Sequence, residues 1–350
     1  MVLVLACAMV VTDFVRHPFT GTPPGRAASA QRALTLWTSG TDSSSGAGQL
    51  ARAAARALDE PTAPAGVRKV DGGVSAAVLA LLDDDIGGDD DLLVVDGGTF
   101  ADLERERRDV GISDVARQAA RAERLLLAAQ PVALLARDTL AVAAPARSQL
   151  DSAEELLARL RTDAGSLVLG VSPDPWSVDA LAAFVDDADA HGPVRYRVLP
   201  ADNAAGLVDH GGIDAVVAPA SELRRKGLSR VLRPLARSDG GPRATTADGA
   251  PLPLLRDLLG HGSAASLDRW VAVVAPQALR GERRTRVDQR LRRMVRRPQW
   301  AEALARRGFE RPAAGDVAAS GALLQKSFEQ TRELVAVAAR IARRSDQSRD

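Results

Sequence analysis

The chain has 350 residues, a net charge of +1 at pH 7 and one cysteine. This length suffices for two domains or lobes with substantial cores, and the near-neutral charge excludes a global field that recruits nucleic acid or a membrane. The single Cys7 excludes an internal disulfide and a cysteine-based metal site.

The N-terminus carries an apolar segment, Met1 to Thr12, followed by a polar Pro/Gly stretch from Arg16 to Arg26. This order resembles the apolar region of a signal peptide or a short anchor, and the apolar run is shorter than the roughly 20 residues that span a bilayer. We predict a signal- or anchor-like segment and linker over residues 1–31 and an extracytoplasmic protein. The alternative is an N-terminal extension of a cytosolic protein, and lipidation at Cys7 stays open.

The two halves of the chain repeat one pattern: an apolar strand, a loop of small residues and an amphipathic helix. In the first half, a strand at residues 34–37 precedes a Ser/Gly-rich loop at 38–48 and a helix through Leu58. In the second half, a strand at residues 167–171 precedes the loop 172–176 and a helix. Such turns direct free backbone N–H groups beyond the strand end, where ligands bind in open parallel sheets. Two such sites predict two lobes that face one cleft.

Between these units, residues 76–82 predict a helix and residues 92–95 a strand that ends in the loop Asp96-Gly97-Gly98-Thr99. Two strand-like runs, 132–136 and 139–143, are separated by Arg137-Asp138. We interpret that interruption as the first crossing between the lobes.

The second half continues the alternation of strands and helices. Asp151 to Glu154 has capping-box spacing before a helix that Gly165 closes. The further predictions are strands at 195–199, 213–217 and 270–275, a helix at 201–208, and helical stripes at 287–295 and 323–338. Pro219-Ala220-Ser221 follows the strand at 213–217, and residues 232–236 would be the return crossing between the lobes. This alternation predicts an α/β fold.

The chain shows no convincing catalytic signature. It contains no G-x-S-x-G elbow and no H-E-x-x-H motif, and its four histidines lack metal-ligand spacing. We therefore predict no catalytic residue, no metal, no cofactor and no enzymatic activity. The arginine-rich run from Arg280 to Arg297 carries an apolar stripe and interleaved acids, which favours a solvated helix face over nucleic-acid binding.

The polar residues that follow the strands are the candidate ligand-binding residues. Asp174-Pro175 is a favourable helix start, and the N–H groups of Trp176 and Ser177 would open toward the cleft, favouring a small anion such as a carboxylate. Asp42 and Asp174 lie in the same loops, and Asp174 could satisfy the helix donors itself, so a neutral or amine-bearing ligand and a chain that binds nothing stay open. The predicted ligand-binding residues are Ser39, Gly40, Thr41, Ser43, Ser44, Ser45, Gly46, Gly98, Thr99, Ser172, Asp174, Trp176, Ser177, Asn203 and Ser221.

Several segments resemble one known family. The strand Trp270 to Pro276, which ends in Ala-Pro, and the helix, break and glycine turn from Arg280 to Gly308 carry the main likeness. Shorter similarities lie at Gly170-Val171-Ser172, Gly212 to Ala215 and Lys226 to Ala236. Over roughly residues 32–345 the chain resembles the substrate-binding proteins of tripartite tricarboxylate transporters.

The chain departs from this family's pattern in both loops. Gln49 stands where the first loop has an acid, and Asp174-Pro175-Trp176 replaces the glycines and the histidine of the second loop.

The resemblance implies a two-lobe, type II periplasmic-binding-protein-like (Venus-flytrap) α/β fold. Residues 32–136 and 233–345 would form lobe 1 and residues 137–232 lobe 2, with hinges around Arg137–Thr139 and Arg233–Ala236. It implies a monomeric receptor that captures a di- or tricarboxylate through backbone N–H groups and hydroxyls and delivers it to the membrane permease subunits of a tripartite transporter. A ligand-sensing module for a membrane sensor kinase is the alternative function.

Overall fold

The computed structural model describes residues 34–39, 46–60, 63–71, 73–83, 91–109, 114–200, 202–238, 251–260 and 268–312, with single helical positions between 322 and 336. The chain divides into Met1–Gln31 and Arg32–Asp350, and all described residues belong to the second unit. The predicted N-terminal segment, loop residues 40–45 and the apolar positions of the stripe at 323–338 lie outside the described residues.

The described elements alternate between strands and helices. The strands are β1 (Leu34–Ser39), β2 (Ala65–Val70), β3 (Asp91–Asp96), β4 (Gln130–Pro145), β5 (Val168–Val171), β6 (Arg195–Val198), β7 (Ala215–Pro219), β8 (Leu232–Arg237) and β9 (Asp268–Ala275). The α-helices are α1 (Gly46–Leu58), α2 (Gly73–Leu82), α3 (Gly97–Asp109), α4 (Asp114–Ala128), α5 (Ala153–Asp163), α6 (Pro175–Asp187), α7 (Ala204–Asp209), α8 (Ala220–Arg225), α9 (Leu255–Leu259), α10 (Gly281–Arg296) and α11 (Pro298–Ala305). Within the described ranges, no helix is long and apolar enough to cross a membrane.

The long strand β4 belongs to both parts of the sheet, whose order is β2-β1-β3-β9-β4-β7-β5-β6, with β8 also paired to β4. Its first part, Gln130–Thr139, pairs with β9, and its second part, Leu140–Pro145, pairs with β7 and β8. The predicted interruption at Arg137-Asp138 is therefore wrong. The strand continues because Asp138, the acid that interrupts the apolar run, lies opposite the oppositely charged Arg269 of β9.

Helices cover both faces of each part of the sheet. In the first part, α1, α10 and α11 pack against one face, while α2, α3 and α4 pack against the other. In the second part, α5 and α6 pack on one face and α7 and α8 on the other. Parallel pairs join β1 to β2 and β3, and β5 to β6 and β7. The predicted α/β alternation is confirmed.

The predicted loop at Gly97 to Thr99, and the residues that follow β7, are the first turns of helices. β3 runs directly into α3, so Gly97, Gly98 and Thr99 are helical, and β7 runs directly into α8, so Ala220 and Ser221 are helical. Carboxylates permit these abrupt starts, because they accept hydrogen bonds from N–H groups that a helix start leaves unpaired.

The capping prediction for α5 is displaced by one residue. Ser152, not Asp151, is the N-cap and accepts from the Glu155 backbone N–H. The Glu155 carboxylate in turn accepts at 2.9 Å from the N–H of Asp151, the residue before the N-cap. The Ser152–Glu155 pair thus has the spacing of a capping box, but the carboxylate bonds one residue earlier than the N-cap N–H of that motif.

A glycine turn after α11 brings the C-terminal segment against α8. Gly308 has φ +80°, and a Cβ built on it would lie 2.9 Å from the Ala220 carbonyl oxygen and from the Ser221 Cα atom. Immediately after this turn, Glu310 forms a backbone bridge with Arg137 of β4. Gly308 thus joins the segment that follows α11 to the middle of β4 and the start of α8.

We expect Gly308→Ala to lower the free energy of unfolding by about 2–5 kcal/mol. The alanine would be strained by the left-handed backbone conformation, and its Cβ would also clash with the backbone of α8. Gly211→Ala is the matched control, since Gly211 has φ +72° with nothing within 4 Å of the added Cβ, and it should cost about 1–2 kcal/mol. Urea unfolding of both variants checks this prediction. Equal losses would contradict the proposed close contact between Gly308 and α8.

Candidate functional site

Buried polar side chains collect where β4 passes from one part of the sheet to the other. We call this group the junction cluster. Its members are Asp96, Asp138, Ser172, Asp174, Ser177, Ser221, Glu222 and Arg269. Apart from Asp174, each is at most 6% exposed.

Arg269 is the central cation of the junction cluster. Its Nη2 atom lies 3.0 Å from Asp96 Oδ2, and its Nη1 atom lies 3.7 Å from Asp174 Oδ1. Its guanidinium carbon lies 5.7 Å from the ring centroid of Trp176, within cation–π range. Burial by itself would lower the pKa of Arg269, but the Asp96 and Asp174 carboxylates outweigh burial and raise it. The guanidinium is therefore a permanent positive charge inside the protein.

The start of α3 supplies the first carboxylate. Asp96 Oδ1 accepts from the Thr99 N–H at 2.9 Å, and Thr99 Oγ1 accepts from the Asp96 N–H at 3.0 Å. A Cβ on Gly97 would approach Trp176 Nε1 to 3.1 Å. The glycine in this first turn therefore permits the indole of α6 to pack against α3.

The start of α6 supplies the second carboxylate. Asp174 Oδ1 accepts from the Ser177 N–H at 3.1 Å, and the Ser177 hydroxyl donates to Asp174 Oδ2. The predicted N-cap role of Asp174 is confirmed. Trp176 is 2% exposed and belongs to the core of the second part of the sheet.

The start of α8 meets the third carboxylate, that of Asp138. The Ser221 N–H donates to Asp138 Oδ1 at 3.0 Å, and the Ser221 hydroxyl donates to Asp138 Oδ2. Burial raises the pKa of Asp138 to about 7, although Arg269 and these hydrogen bonds act in the opposite direction. Nearby, the Ser172 hydroxyl donates to Glu222 Oε2 at 3.2 Å.

A further ion pair joins α3 directly to α6. Arg105 Nη2 lies 3.0 Å from Asp179 Oδ2, and the Asp179 side chain is 7% exposed. Burial raises the pKa of Asp179, while the Arg105 charge opposes that shift. With Trp176 packed on Gly97, this contact closes the junction between the two parts of the sheet.

No protein-family model and no curated protein matches the sequence, but solved structures share its fold. A TctC solute-binding protein from Polaromonas matches with a TM-score of 0.63 and 17% identity, covering 87% of this chain and 98% of that chain. MatC from Rhodopseudomonas palustris, solved with malate, matches with a TM-score of 0.60 and 11% identity, covering 87% of this chain and 99% of that chain. A second R. palustris protein, solved with adipate, matches with a TM-score of 0.60 and 14% identity, covering 88% of this chain and 97% of that chain.

The chain has the fold of periplasmic solute-binding proteins. The predicted α/β periplasmic-binding-protein-like fold is therefore confirmed. The lobe boundaries drawn from the sequence stay a prediction, although β4 and β8 are the strands that were expected to connect the lobes.

Six predicted ligand-binding residues lie together in or beside the junction cluster: Thr99, Ser172, Asp174, Trp176, Ser177 and Ser221. Gly98 is in the first turn of α3. Asn203 is exposed before α7, and among the described residues no hydrogen bond or ion pair joins it to the others. Ser39 ends β1 and Gly46 begins α1, while Gly40, Thr41, Ser43, Ser44 and Ser45 lie outside the described residues. Ligand binding by all these residues stays a prediction.

Sequence reasoning missed the charged members of the junction cluster, Asp96, Asp138, Glu222 and Arg269. A signal was present for two of them, because Asp138 interrupts an apolar strand and Arg269 directly precedes another. Opposite charges at the ends of apolar strand runs indicate a buried ion pair when the strands are neighbours.

A separate cavity of about 300 Å³ lies between β4, β8 and α8. Its described lining is mainly apolar, with Ala141, Ala143 and Ala236 on the sheet and Arg237 and Glu310 at its polar side. The described residues that line it include none of the predicted ligand-binding residues. Within the described ranges, no group of three His, Cys, Asp or Glu side chains is placed to hold a metal ion.

Asp102 of α3 provides a pH-dependent test of the buried charges. Burial, with the Asp96 charge, raises the pKa of Asp102 from 3.8 to about 7. The folded protein therefore binds more protons than the unfolded chain between these values, so the contribution of Asp102 to stability falls as pH rises from 3.8 to about 7.

We expect Asp102→Asn to remove this loss. Between pH 4 and pH 7.5, the free energy of unfolding of the variant should rise relative to that of wild type by on the order of 2–4 kcal/mol. Urea unfolding across this pH range measures the change. The exposed Asp257→Asn is the control and should show no such trend. A constant difference between Asp102→Asn and wild type across this pH range would contradict the raised pKa.

Proposed function

We propose that this chain is an extracytoplasmic receptor that captures a small organic acid between two lobes. It would deliver the acid to the membrane permease subunits of a tripartite tricarboxylate-type transporter, without catalysis and without a cofactor. Support comes from the fold shared with solute-binding proteins, two of which were solved with the dicarboxylates malate and adipate. The matches cover nearly the whole of those chains, so the likeness extends over a complete receptor of this type.

The observation that carries the proposal is the buried Arg269 guanidinium, which is surrounded by acids that in turn accept hydrogen bonds from buried serine hydroxyls. Arg269 is the second residue of β9. Two acids that act on it, Asp174 and Asp138, accept hydrogen bonds from Ser177 and Ser221 respectively. A guanidinium with hydroxyl and backbone N–H donors is the donor set that a carboxylate needs. The side chains come from both parts of the sheet, which supports a solute held between two lobes.

Binding in this arrangement requires a hinge motion. The buried hydroxyls become accessible only when α3 and α6 move apart, which breaks the Arg105–Asp179 contact. We propose lobes at residues 32–136 with 233–345 and at residues 137–232, joined by β4 and β8. Hinge closure around a ligand is the motion expected of two lobes connected by strands.

A second candidate ligand class is an amine or amide. It is favoured by the number of carboxylates around Arg269, since Asp96, Asp138, Asp174 and Glu222 all act on this guanidinium. A cationic solute would reduce this excess of negative charge.

We expect malate, adipate or citrate to raise the melting temperature of the full-length chain. At 100 times the dissociation constant, a ligand stabilises the native state by about 2.7 kcal/mol, which corresponds to a shift on the order of 3–6 °C. Differential scanning fluorimetry, followed by calorimetric titration, checks this.

Adipamide is the matched uncharged control for adipate and should give no shift. A shift with putrescine or adipamide, and none with the acids, would show that the ligand is an amine or amide and not an acid. The absence of any shift across the panel would contradict the receptor function.

A further inference from the structure

We propose that Arg269 is the specificity-determining residue of this receptor and that Asp174 is an internal competitor for the same guanidinium. The carboxylate of the solute would bind by displacing Asp174 from Arg269. This inference rests on the proposed function and names how the site distinguishes an acid from its neutral analogue.

The two acidic contacts of Arg269 differ in strength. The Asp96 contact is a 3.0 Å hydrogen bond between side chains that are both 7% exposed. The Asp174 contact is 3.7 Å long, beyond hydrogen-bond distance, and the Asp174 side chain is 27% exposed. Solvent screens and competes with the second contact more than the first. Asp174 is therefore the partner that a solute can replace.

The donors around Asp174 match those that a solute carboxylate needs. Asp174 accepts from the Ser177 N–H and the Ser177 hydroxyl, and it faces Arg269 Nη1. All of its contacts to α6 are local, so a rotation of the Asp174 side chain leaves the backbone of the helix in place. A carboxylate that enters in its place meets the same three donor groups.

Charge balance favours exchange over addition. Asp96 and Asp174 lie 3.0 and 3.7 Å from the guanidinium, and Asp138 and Glu222 also act on its charge. A further carboxylate added beside them would meet strong repulsion in a poorly solvated site. Replacing Asp174 by the solute, with Asp174 moving into water, leaves the charge next to Arg269 unchanged. An amide solute gains less than an acid from the same exchange, because it brings no charge to the guanidinium.

Packing fixes the direction in which Arg269 presents its donors. The guanidinium lies 5.7 Å from the ring centroid of Trp176, and its Nη2 atom is engaged by Asp96. Nη1 is thus the atom on the side of Asp174. A lysine at this position would keep the charge but would lose the planar fork that serves two partners at once.

The test is calorimetric titration of adipate and adipamide into wild type, Asp174→Asn, Arg269→Lys and the double variant. Asparagine is also a favourable N-cap, so Asp174→Asn keeps the start of α6 while removing the competing charge. We expect Asp174→Asn to bind adipate at least fivefold more tightly, with adipamide unchanged. Arg269→Lys should bind adipate at least tenfold more weakly, and Asp174→Asn should give no gain in that background.

Asp151→Asn is the control, because it removes the exposed partner of Arg233, 2.9 Å away, in the second part of the sheet. Its adipate affinity should equal that of wild type. Circular dichroism confirms folding of each variant, and Asp174→Asn decides the outcome even if Arg269→Lys does not fold.

Two negative results are distinguishable. If wild type binds an acid but Asp174→Asn binds it equally or more weakly, the exchange is overturned and the receptor function stands. If neither wild type nor Asp174→Asn binds malate, adipate or citrate, the acid-receptor function is overturned together with the exchange.

Discussion

Burial of the Arg269 guanidinium is the constraint on which the centre of this structure depends. A buried charge without a partner costs far more than a fold can tolerate, so carboxylates must come to it from several elements. Asp138 comes from the neighbouring strand β4, Asp96 from the start of α3 and Asp174 from the start of α6. The positions of these elements are therefore coupled, although they belong to different parts of the sheet.

The same carboxylates also cap the N-termini of helices. Asp96, Asp138 and Asp174 each accept a backbone N–H from the first turn of a helix, at α3, α8 and α6 respectively. Each acid thus satisfies a helix donor and faces the guanidinium. Because each acid has both roles, the junction holds several acids around one buried arginine. The donors that an anionic solute would use are therefore already bonded to side chains of this protein.

The strand β4 gives this junction its geometry. Because it is continuous through Arg137 and Asp138, it carries the pairing from β9 to β7 and β8 without a loop. The segment after Gly308 returns to the same point and contacts both β4 and the start of α8. Opening between the proposed lobes would therefore bend the strands β4 and β8, while the helices on either side keep their own cores.

The sequence by itself determined the features that depend on near neighbours. The strand–loop–helix units at β1–α1 and β5–α6, the alternation that defines the fold class, and the N-cap role of Asp174 follow from apolar periodicity and from contacts three residues apart. The tertiary structure alone decided the continuity of β4, the abrupt start of α3 at Gly97 and the role of Arg269. The partners concerned are distant in the chain: Asp96 and Arg269 are 173 residues apart, and Asp138 and Ser221 are 83 apart. Local patterns predict polar residues and glycines at such positions as loops, because the charge that stabilises them inside the protein arrives only when the sheet assembles.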